Sequence, residues 1–538
     1  MGSEMCIRDS PRIAPPSPPH HLRNSFAVPR RISRELKALI NRALKALSVL
    51  ALSLAISGCI GTGGIAPQGQ AFNANTLATD AAIQSAAQDA HWPTTQWWQA
   101  YGDMQLNRWV DLATQNSPNM AMAAARVREA RAMAGIAESA ESLQINSDTT
   151  LKRHNWPKDQ FYGPGELSGA NTWDNTASLG LSYALDLWGR ESNASERAVD
   201  LAHMSAAEAR QAQLELQNNV VRAYIQLSLH FANRDIVAAT LAQQQQILDL
   251  ANKRLNAGIG THFDVSQAET PLPETHRQLD ALDEEIALSR NQLAALAGKG
   301  PGEGAQLQRP SLSLAAPLKL PSSLPAQLLG QRPDVVASRW QVAAQARGID
   351  VAHAGFYPNV DLVGSLGYMA TGGTMLGFLS GQKFNYTVGP AISLPIFDGG
   401  RLRGQLGEAS AGYDIAVAKY NQTLVNALKG ISDQLIRRES MDKQATFAAQ
   451  SVASAQKTYD IAMIAYQRGL TDYLNVLNAQ TLLFRQQQIE QQVQAARLSA
   501  HAELVTALGG GLGAGNDVPP DAKTLPSKTP AALAVFDH

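Results

Sequence analysis

Residues 257–270 read "AGIGTHFDVSQAET" and residues 468–481 read "RGLTDYLNVLNAQT". Aligned without a gap, they match Gly258 with Gly469, Ile259 with Leu470, Val265 with Val476, Ala268 with Ala479 and Thr270 with Thr481, at an offset of 211 residues. The same offset relates "ALDLWGR", ending at Arg190, to "PIFDGGR", ending at Arg401. Two anchors at one offset mean that the segment between them has kept its length. Upstream, "SPNMAMAAARVREARAMAGIAESA" resembles "RPDVVASRWQVAAQARGIDVAHAG" with Pro118 against Pro333 at an offset of 215, so the first copy carries four extra residues in its strand region. The chain is a duplication.

Each copy follows one plan. Pro118 or Pro333 opens a helix, where a missing N–H does no harm. Two alternating stretches follow. In copy one they are Ile145 to Leu151 and then "TASLGLSYAL", whose Ala177, Leu179, Leu181, Tyr183 and Leu185 share a face. In copy two they are "VDLVGSLGY" and "NYTVGPAISL", whose Tyr386, Val388, Ile392 and Leu394 share a face with Pro390. Such alternation fits either a transmembrane β-strand or an ordinary half-buried hairpin. The connections "HNWPKDQFYGPGELSGANTWD" and "ATGGTMLGFLSGQKF" are rich in Gly, aromatic and polar residues, as external barrel loops are.

At their other ends the strand pairs run straight into helices, through the turns Gly189-Arg190 and Gly399-Gly400-Arg401. From Arg190 to Ala257 there is neither Gly nor Pro, which allows one helix ~100 Å long. A rod of that length cannot bury itself and needs neighbouring helices. Leu216, Val220, Ala223, Leu227 and Phe231, and Leu424, Leu428, Ile431 and Leu435, step by three and four as a packed seam requires. The second copy tolerates Gly404, Gly407, Gly412 and Gly430 before a Gly- and Pro-free run to Arg468. The repeated sentence therefore closes a helical hairpin: Gly258 or Gly469 ends the long helix, and Thr261 or Asp472 caps the returning one.

The chain has 538 residues, 6% aromatics and a formal net charge of −1, so nothing points to nucleic acid. Of its two cysteines, Cys6 lies in a Pro-rich lead (residues 1–29) that resembles no export signal and is set aside as non-native or untranslated. Residues 30–58 read as a signal peptide: Arg30, Arg31, Arg34, Lys37, Arg42 and Lys45, then an uncharged run from Ala46 to Ile56, too short to span a bilayer. It ends in Ile56-Ser57-Gly58-Cys59, which resembles a lipobox, with a plain secretory signal as the alternative. Ile60 stands where an Asp often signals inner-membrane retention, so the resemblance favours the outer membrane. Removal of residues 1–58 leaves a mildly acidic chain. The expected organisation is a lipidated segment 59–96, repeat one 97–299, a linker 300–325, repeat two 326–508 and a loose tail 509–538.

Four membrane strands cannot close a barrel, and open edges in lipid cost several kcal/mol per unpaired group. Two chains would give eight strands and three would give twelve; only the larger leaves room inside. "WWQAYGDMQLNRWVDLATQNSPNM" (97–120), "ALDLWGR", "PIFDGGR", "AYQRGLTDYLNVLNAQ" (465–480) and "LVTALGGG" (504–511), in this order, make the chain resemble the TolC-like outer-membrane efflux family, in its NodT-type lipoprotein branch. The resemblance implies a mostly α-helical mixed α/β membrane protein: a homotrimer with a shared 12-stranded β-barrel continued by a long periplasmic α-helical barrel. It also implies a ring of tips that meets a periplasmic membrane-fusion adaptor fed by an inner-membrane resistance-nodulation-division pump. The expected place is the outer membrane of a Gram-negative bacterium, anchored by a lipid on Cys59.

Asp460 and Asp249 each lie nine positions before the tip glycine, ~14 Å up the helix. By the resemblance Asp460 falls where the family carries constriction aspartates, so a trimer would set three to six carboxylates round a narrow mouth. The other reading is a solvated helix face. Gly258, Gly260, Thr261, Val265, Ala268, Gly469, Leu470, Asp472, Val476 and Ala479 are candidates for adaptor docking, beside the plainer reading of turn chemistry and helix packing. The 11 histidines show no metal-ligand spacing, and no P-loop, GxSxG or paired-carboxylate setting points to an enzyme or a cofactor. The expected function is a passive exit duct for drugs or other small toxic compounds. A periplasmic adaptor, a structural envelope lipoprotein and a duct for type I secretion stand as alternatives.

Overall fold

The computed structural model describes residues 61–73, 76–86, 92–158, 169–314 and 331–511. The expected signal peptide, Cys59, the rest of the linker and the tail beyond residue 511 lie outside them. The described elements are α1 (Ala81–Ala86), a 3-10 turn (Trp97–Tyr101), α2 (Met104–Asn116), α3 (Pro118–Ser139), β1 (Gln144–Asn155), β2 (Asn171–Ala184), α4 (Arg190–Asn256), α5 (His262–Glu269) and α6 (Leu272–Leu296). The second copy gives α7 (Pro333–Ala354), β3 (Asn359–Thr371), β4 (Phe384–Ser393), α8 (Arg401–Gln467) and α9 (Tyr473–Ala507). The duplication is thus one of structure as well as text.

Both long helices have 67 residues. α4 packs against α3, α7, α6 and α9, and α8 packs against α7 and α9. The copies differ in the return: α9 is continuous, whereas Thr270-Pro271 divides α5 from α6. Pro271 has no N–H to donate to the turn before it, so a continuous ladder cannot pass through it.

The four strands form one antiparallel sheet in the order β1-β2-β3-β4. Register sorts most of its side chains, with Val363 and Met369 as the large apolar exceptions on the polar face. Ala177, Leu179, Leu181 and Tyr183 lie against Tyr368, Leu366, Gly364 and Leu362, and Leu366, Leu362 and Val360 against Tyr386, Pro390 and Ile392. The opposite face carries Ser178, Gly180 and Ser182, then Ser365, Asp361 and Asn359, then Thr387, Ala391 and Ser393. Leu185 and Leu394 fall just beyond the strand ends. Tyr386, Val388 and Ile392 remain at least 70% exposed, which in water would be a liability and in lipid is the requirement. Lipid resolves the hairpin-or-membrane ambiguity in favour of the membrane.

Three apolar clusters hold the helices together. One joins Trp97, Trp98, Tyr101, Leu106 and Trp109 to the middle of α4 (Val220, Tyr224, Leu227) and to α6 and α9. Here Asp103 caps α2 through the backbone N–H groups of Gln105 and Leu106, while its other oxygen accepts from Tyr224 Oη at 2.9 Å and from the Ser311 backbone N–H at 2.8 Å. The linker is thereby pinned to the long helix. A second cluster lies along α8 (Tyr420, Leu424, Ile431), and the third is at the tips.

The tail expectation needs a correction at its start. Gly509, Gly510 and Gly511 are a packed helix stop with φ of 94°, 62° and 71°. A Cβ at Gly509 would lie 2.4 Å from the Gln331 carbonyl oxygen, and one at Gly510 would lie 2.2 Å from Leu214. These three residues belong to the fold.

Candidate functional site

The tip is built from two equivalent stops. Gly258 has φ of 75° and Gly469 has φ of 71°. The Gly258 and Ile259 N–H groups donate to Leu255 and Arg254 carbonyls, and those of Gly469 and Leu470 donate to Tyr466 and Ala465. This double bond satisfies the orphan carbonyls at a helix end and leaves the next residue pointing outward. The returning helices are capped as the sequence implied. Thr261 and Asp264 form a reciprocal capping box, and the Asp472 side chain accepts from the Asn475 N–H.

Packing divides the ten tip candidates. Gly258, Thr261, Gly469, Leu470 and Asp472 are exposed and Gly260 is half-buried. Ala268, Val476 and Ala479 are buried and Val265 packs partly on them, in a cluster with Ile247, Ala251, Tyr459, Tyr466 and Tyr473. That cluster draws on both copies, so the two tips are welded together. Arg254 reinforces the weld: its guanidinium lies 5.0 Å from the Tyr466 ring centroid and donates to the Tyr466 carbonyl at 2.9 Å. Burial pushes the Tyr473 hydroxyl up to about 12.

Beside the candidate Leu470, the outer surface of the tip holds three large apolar residues that sequence reasoning missed, Ile259, Phe263 and Leu474. Ile259, Phe263 and Leu470 are 70%, 71% and 75% exposed, and Leu474 is exposed as well. The signal was present: Ile259 and Leu470, and Phe263 and Leu474, are equivalent at the same 211-residue offset. Large apolar side chains held out on a capped turn are a contact surface by composition.

Asp249 and Asp460 are both exposed, one on each long helix, and Asp460 Oδ1 accepts from Gln456 Nε2 at 2.8 Å within its own helix.

At the opposite end, Gly189 (φ 71°) and Gly399 and Gly400 (φ 65° and 92°) turn β2 and β4 into the long helices that begin at Arg190 and Arg401. Two aspartates in the quoted motifs do the capping and were also missed. Asp186 accepts from the Glu191 and Ser192 N–H groups, and Asp398 from those of Gly400 and Leu402. For Asp186 burial pushes the carboxyl up, but the bonds from Ser192, Glu191 and Arg190 outweigh it and the net shift is down; for Asp398 the Leu402 bond leads a shift in the same direction. Trp188 stacks on Tyr357 with ring centroids 4.7 Å apart and donates to the Pro358 carbonyl, giving the interface end of the sheet an aromatic anchor. Among the described residues there is no His/Cys/Asp/Glu group that could hold a metal ion, and no helix long and apolar enough to cross a membrane.

Membrane strands continuous with duct-length helices are the geometry of an envelope channel. The family profile described as outer membrane efflux protein matches residues 109–299 and 324–510, one match per copy. The chain belongs to the outer membrane efflux protein family. It is 46% identical over 478 residues to the fusaric acid resistance protein FusA of Burkholderia cepacia, covering 88% of this chain and 89% of that protein. It is 27% identical over 493 residues to the multidrug resistance outer membrane protein MdtP of Escherichia coli K12, covering 89% and 99%. Among solved structures, the outer membrane protein VceC of Vibrio cholerae superposes with a TM-score of 0.72 at 34% identity, over 78% of this chain and all (100%) of that one. Members of the family are trimeric channels of tripartite efflux systems. The family member described here is accordingly an outer-membrane efflux channel, and its four strands are a third of a 12-stranded barrel. The adaptor alternative falls with that, as does the structural lipoprotein.

Proposed function

We propose that this channel is a lipid-anchored exit duct for small toxic organic compounds, docked through its tips to a membrane-fusion adaptor and served by a resistance-nodulation-division pump. The observation that carries the docking is the tip surface: two equivalent capped turns holding Ile259, Phe263, Leu470 and Leu474 outward at the end of 67-residue helices. Gly258, Gly260, Thr261, Gly469 and Asp472 set the backbone that presents them, and Val265, Ala268, Val476 and Ala479 hold the two turns together. Relatives named for fusaric acid and multidrug resistance support small organic cargo.

The anchor is supported by the N-terminal strap. Its Gln68 and Gly69 N–H groups donate to Asp414, and the Phe72 N–H donates to Asn421 Oδ1. The strap thus runs beside α8, and Gly63 lies against the side chain of Arg403, two residues into that helix. Cys59 is four residues before Gly63 in the sequence.

The docking is tested with Phe263→Asp combined with Leu470→Asp, in cells whose dye export depends on this channel. Export should fall to the level of cells lacking the gene, while the trimer remains in the outer-membrane fraction. Undiminished export by a correctly located double variant sinks the docking role.

A further inference from the structure

A cavity of about 830 Å³ lies where the helices meet the sheet. Asn359 and Ser393 line its upper edge, and they are a cross-strand pair on the polar face of the sheet. When the barrel closes, that face lines the lumen. The helix wall agrees. Arg401, Gln405 and Glu408 line the cavity from one face of α8, whereas the strap occupies Arg403, Asp414 and Asn421, about half a turn away. The cavity therefore opens into the duct, and the strap lies on its outside.

Its lining is basic. Arg190, Arg197 and Arg401 face Asp186 and Glu408. The Asp186 carboxylate is engaged by two backbone N–H groups of α4, so it offers the arginines little. Arg190 sits 3.7 Å from Glu191 with both side chains open to solvent, and Arg401 donates to the neutral Gln405 at 3.0 Å. Arg197 lies over Gly348, where a Cβ would meet its guanidinium carbon at 3.5 Å, and its Nε is buried with no hydrogen-bond partner. The adjacent Arg347 and Glu196 pair with each other at 2.6 Å and cancel. The N-termini of α4 and α8 add positive potential here, and the C-terminus of α7 offsets one of them. The rest of the wall is mixed: Gln345, Gln405, Asn359 and Ser393 supply polar groups, and the Trp188–Tyr357 stack beside Leu185, Leu187 and Leu394 supplies an aromatic and aliphatic stretch.

Three guanidiniums, an aromatic wall and a volume within the ~300–1,000 Å³ of small-molecule sites define a ligand class. We propose that this cavity is a luminal way-station for small amphiphilic anions, aromatic carboxylates or sulfonates, which it holds briefly as they pass from the helical duct into the barrel. The inference rests on the duct reading and adds charge selection to it. A trimer carries three such cavities in one ring.

The test uses the purified trimer in planar bilayers, with 1-naphthoate added on the barrel side, from which the cavity is reached even when the tips are shut. Naphthoate should reduce the current in a saturable, salt-sensitive manner, and the neutral 1-naphthamide should do so about five- to tenfold less well. Arg197→Gln and Arg401→Gln should each weaken the naphthoate block by about the same factor, and Arg401→Lys should restore most of it. Arg403→Gln, on the strap side of α8, should block like the wild type. Equal block by naphthoate and naphthamide in the wild type overturns the proposal, and that comparison decides the matter if the glutamine variants fail to insert. Unchanged block in both glutamine variants overturns it too. A current through the reconstituted trimer upholds the duct reading whatever the blockers do, so a current that ignores the charge of the blocker overturns the way-station alone.

Discussion

Asp200 shows how one buried side chain can set the acid–base behaviour of the long-helix seam. It lies on α4, 4% exposed, with Oδ2 lacking a hydrogen-bond partner. Burial pushes its carboxyl up to about 7, Arg347 pulls it down and Glu196 pushes it up. The folded state therefore holds a proton that the unfolded chain, with a carboxyl near 3.8, has released. Stability from this group rises as pH falls from about 7 toward 3.8, and its full penalty is present above 7. His501 has the opposite sign. Burial, aided by Arg438, lowers it from 6.5 to about 4, so its contribution is complete above 6.5 and is lost as pH falls toward 4. Asp200→Asn removes the first effect and leaves the second. The variant trimer should be more stable than wild type at pH 8 by on the order of 2 kcal/mol per chain, and nearly indistinguishable at pH 4. Thermal dissociation followed by circular dichroism at the two pH values reads this, and matching midpoints at pH 8 would show that Asp200 is ionised at no cost.

Individual elements were legible in the sequence to the degree that their signals were local. A glycine- and proline-free run ending at Gly258 gave the first long helix to within a residue of its ends, the repeat carried the same length over to the glycine-containing second one, and period-2 alternation pointed to all four strands. What escaped depended on which way a side chain points once the element has formed. Val476 and Ala479 look like small surface residues and are buried, whereas Phe263 looks like core and is 71% exposed. Asp186 and Asp398 escaped because a capping residue is recognised by its distance to an N–H, and their spacing to the helix start differs by one residue between copies. The glycines of the tips show the same distinction. Nothing lies within 4 Å of a Cβ built on Gly469, so Gly469→Ala meets only the penalty of a left-handed backbone, ~1–2 kcal/mol. A Cβ on Gly260 would lie 2.9 Å from the Leu255 backbone nitrogen, and the backbone of α4 would have to move. Hydrogen–deuterium exchange should therefore show Gly260→Ala loosening residues 254–268 more than Gly469→Ala loosens residues 465–479. Equal exchange in the two variants would mean that the turn of copy one has slack that its contacts do not show.

At the scale of the whole molecule, features that mean little in one chain acquire meaning from threefold repetition. An exposed Asp460 hydrogen-bonded to Gln456 is an ordinary helical side chain. Three of them at one level of a tapering mouth, with Asp249 at the equivalent level on the other long helix, would make a ring whose mutual repulsion attracts cations. At the far end of the same duct, Arg190, Arg197 and Arg401 give the lumen the opposite sign. A duct acidic at its periplasmic mouth and basic at the membrane would hold anionic cargo back until the tips open, and would favour its onward passage once inside. A ring of this kind would lose its Asp460 half in one substitution. Asp460→Ala should raise the resting single-channel conductance and weaken block by divalent cations added on the periplasmic side by about tenfold, because a three-carboxylate site loses most of its field with its charges. Asp249→Ala should do less, since the Asp460 ring would remain intact and lead the attraction. Planar-bilayer recordings of the two variants, with magnesium titrated from the tip side, separate the possibilities. Unchanged conductance together with unchanged block in Asp460→Ala would place these carboxylates on a solvated outer face, and the closure of the mouth would then have to rest on the apolar and tyrosine contacts that weld the tips.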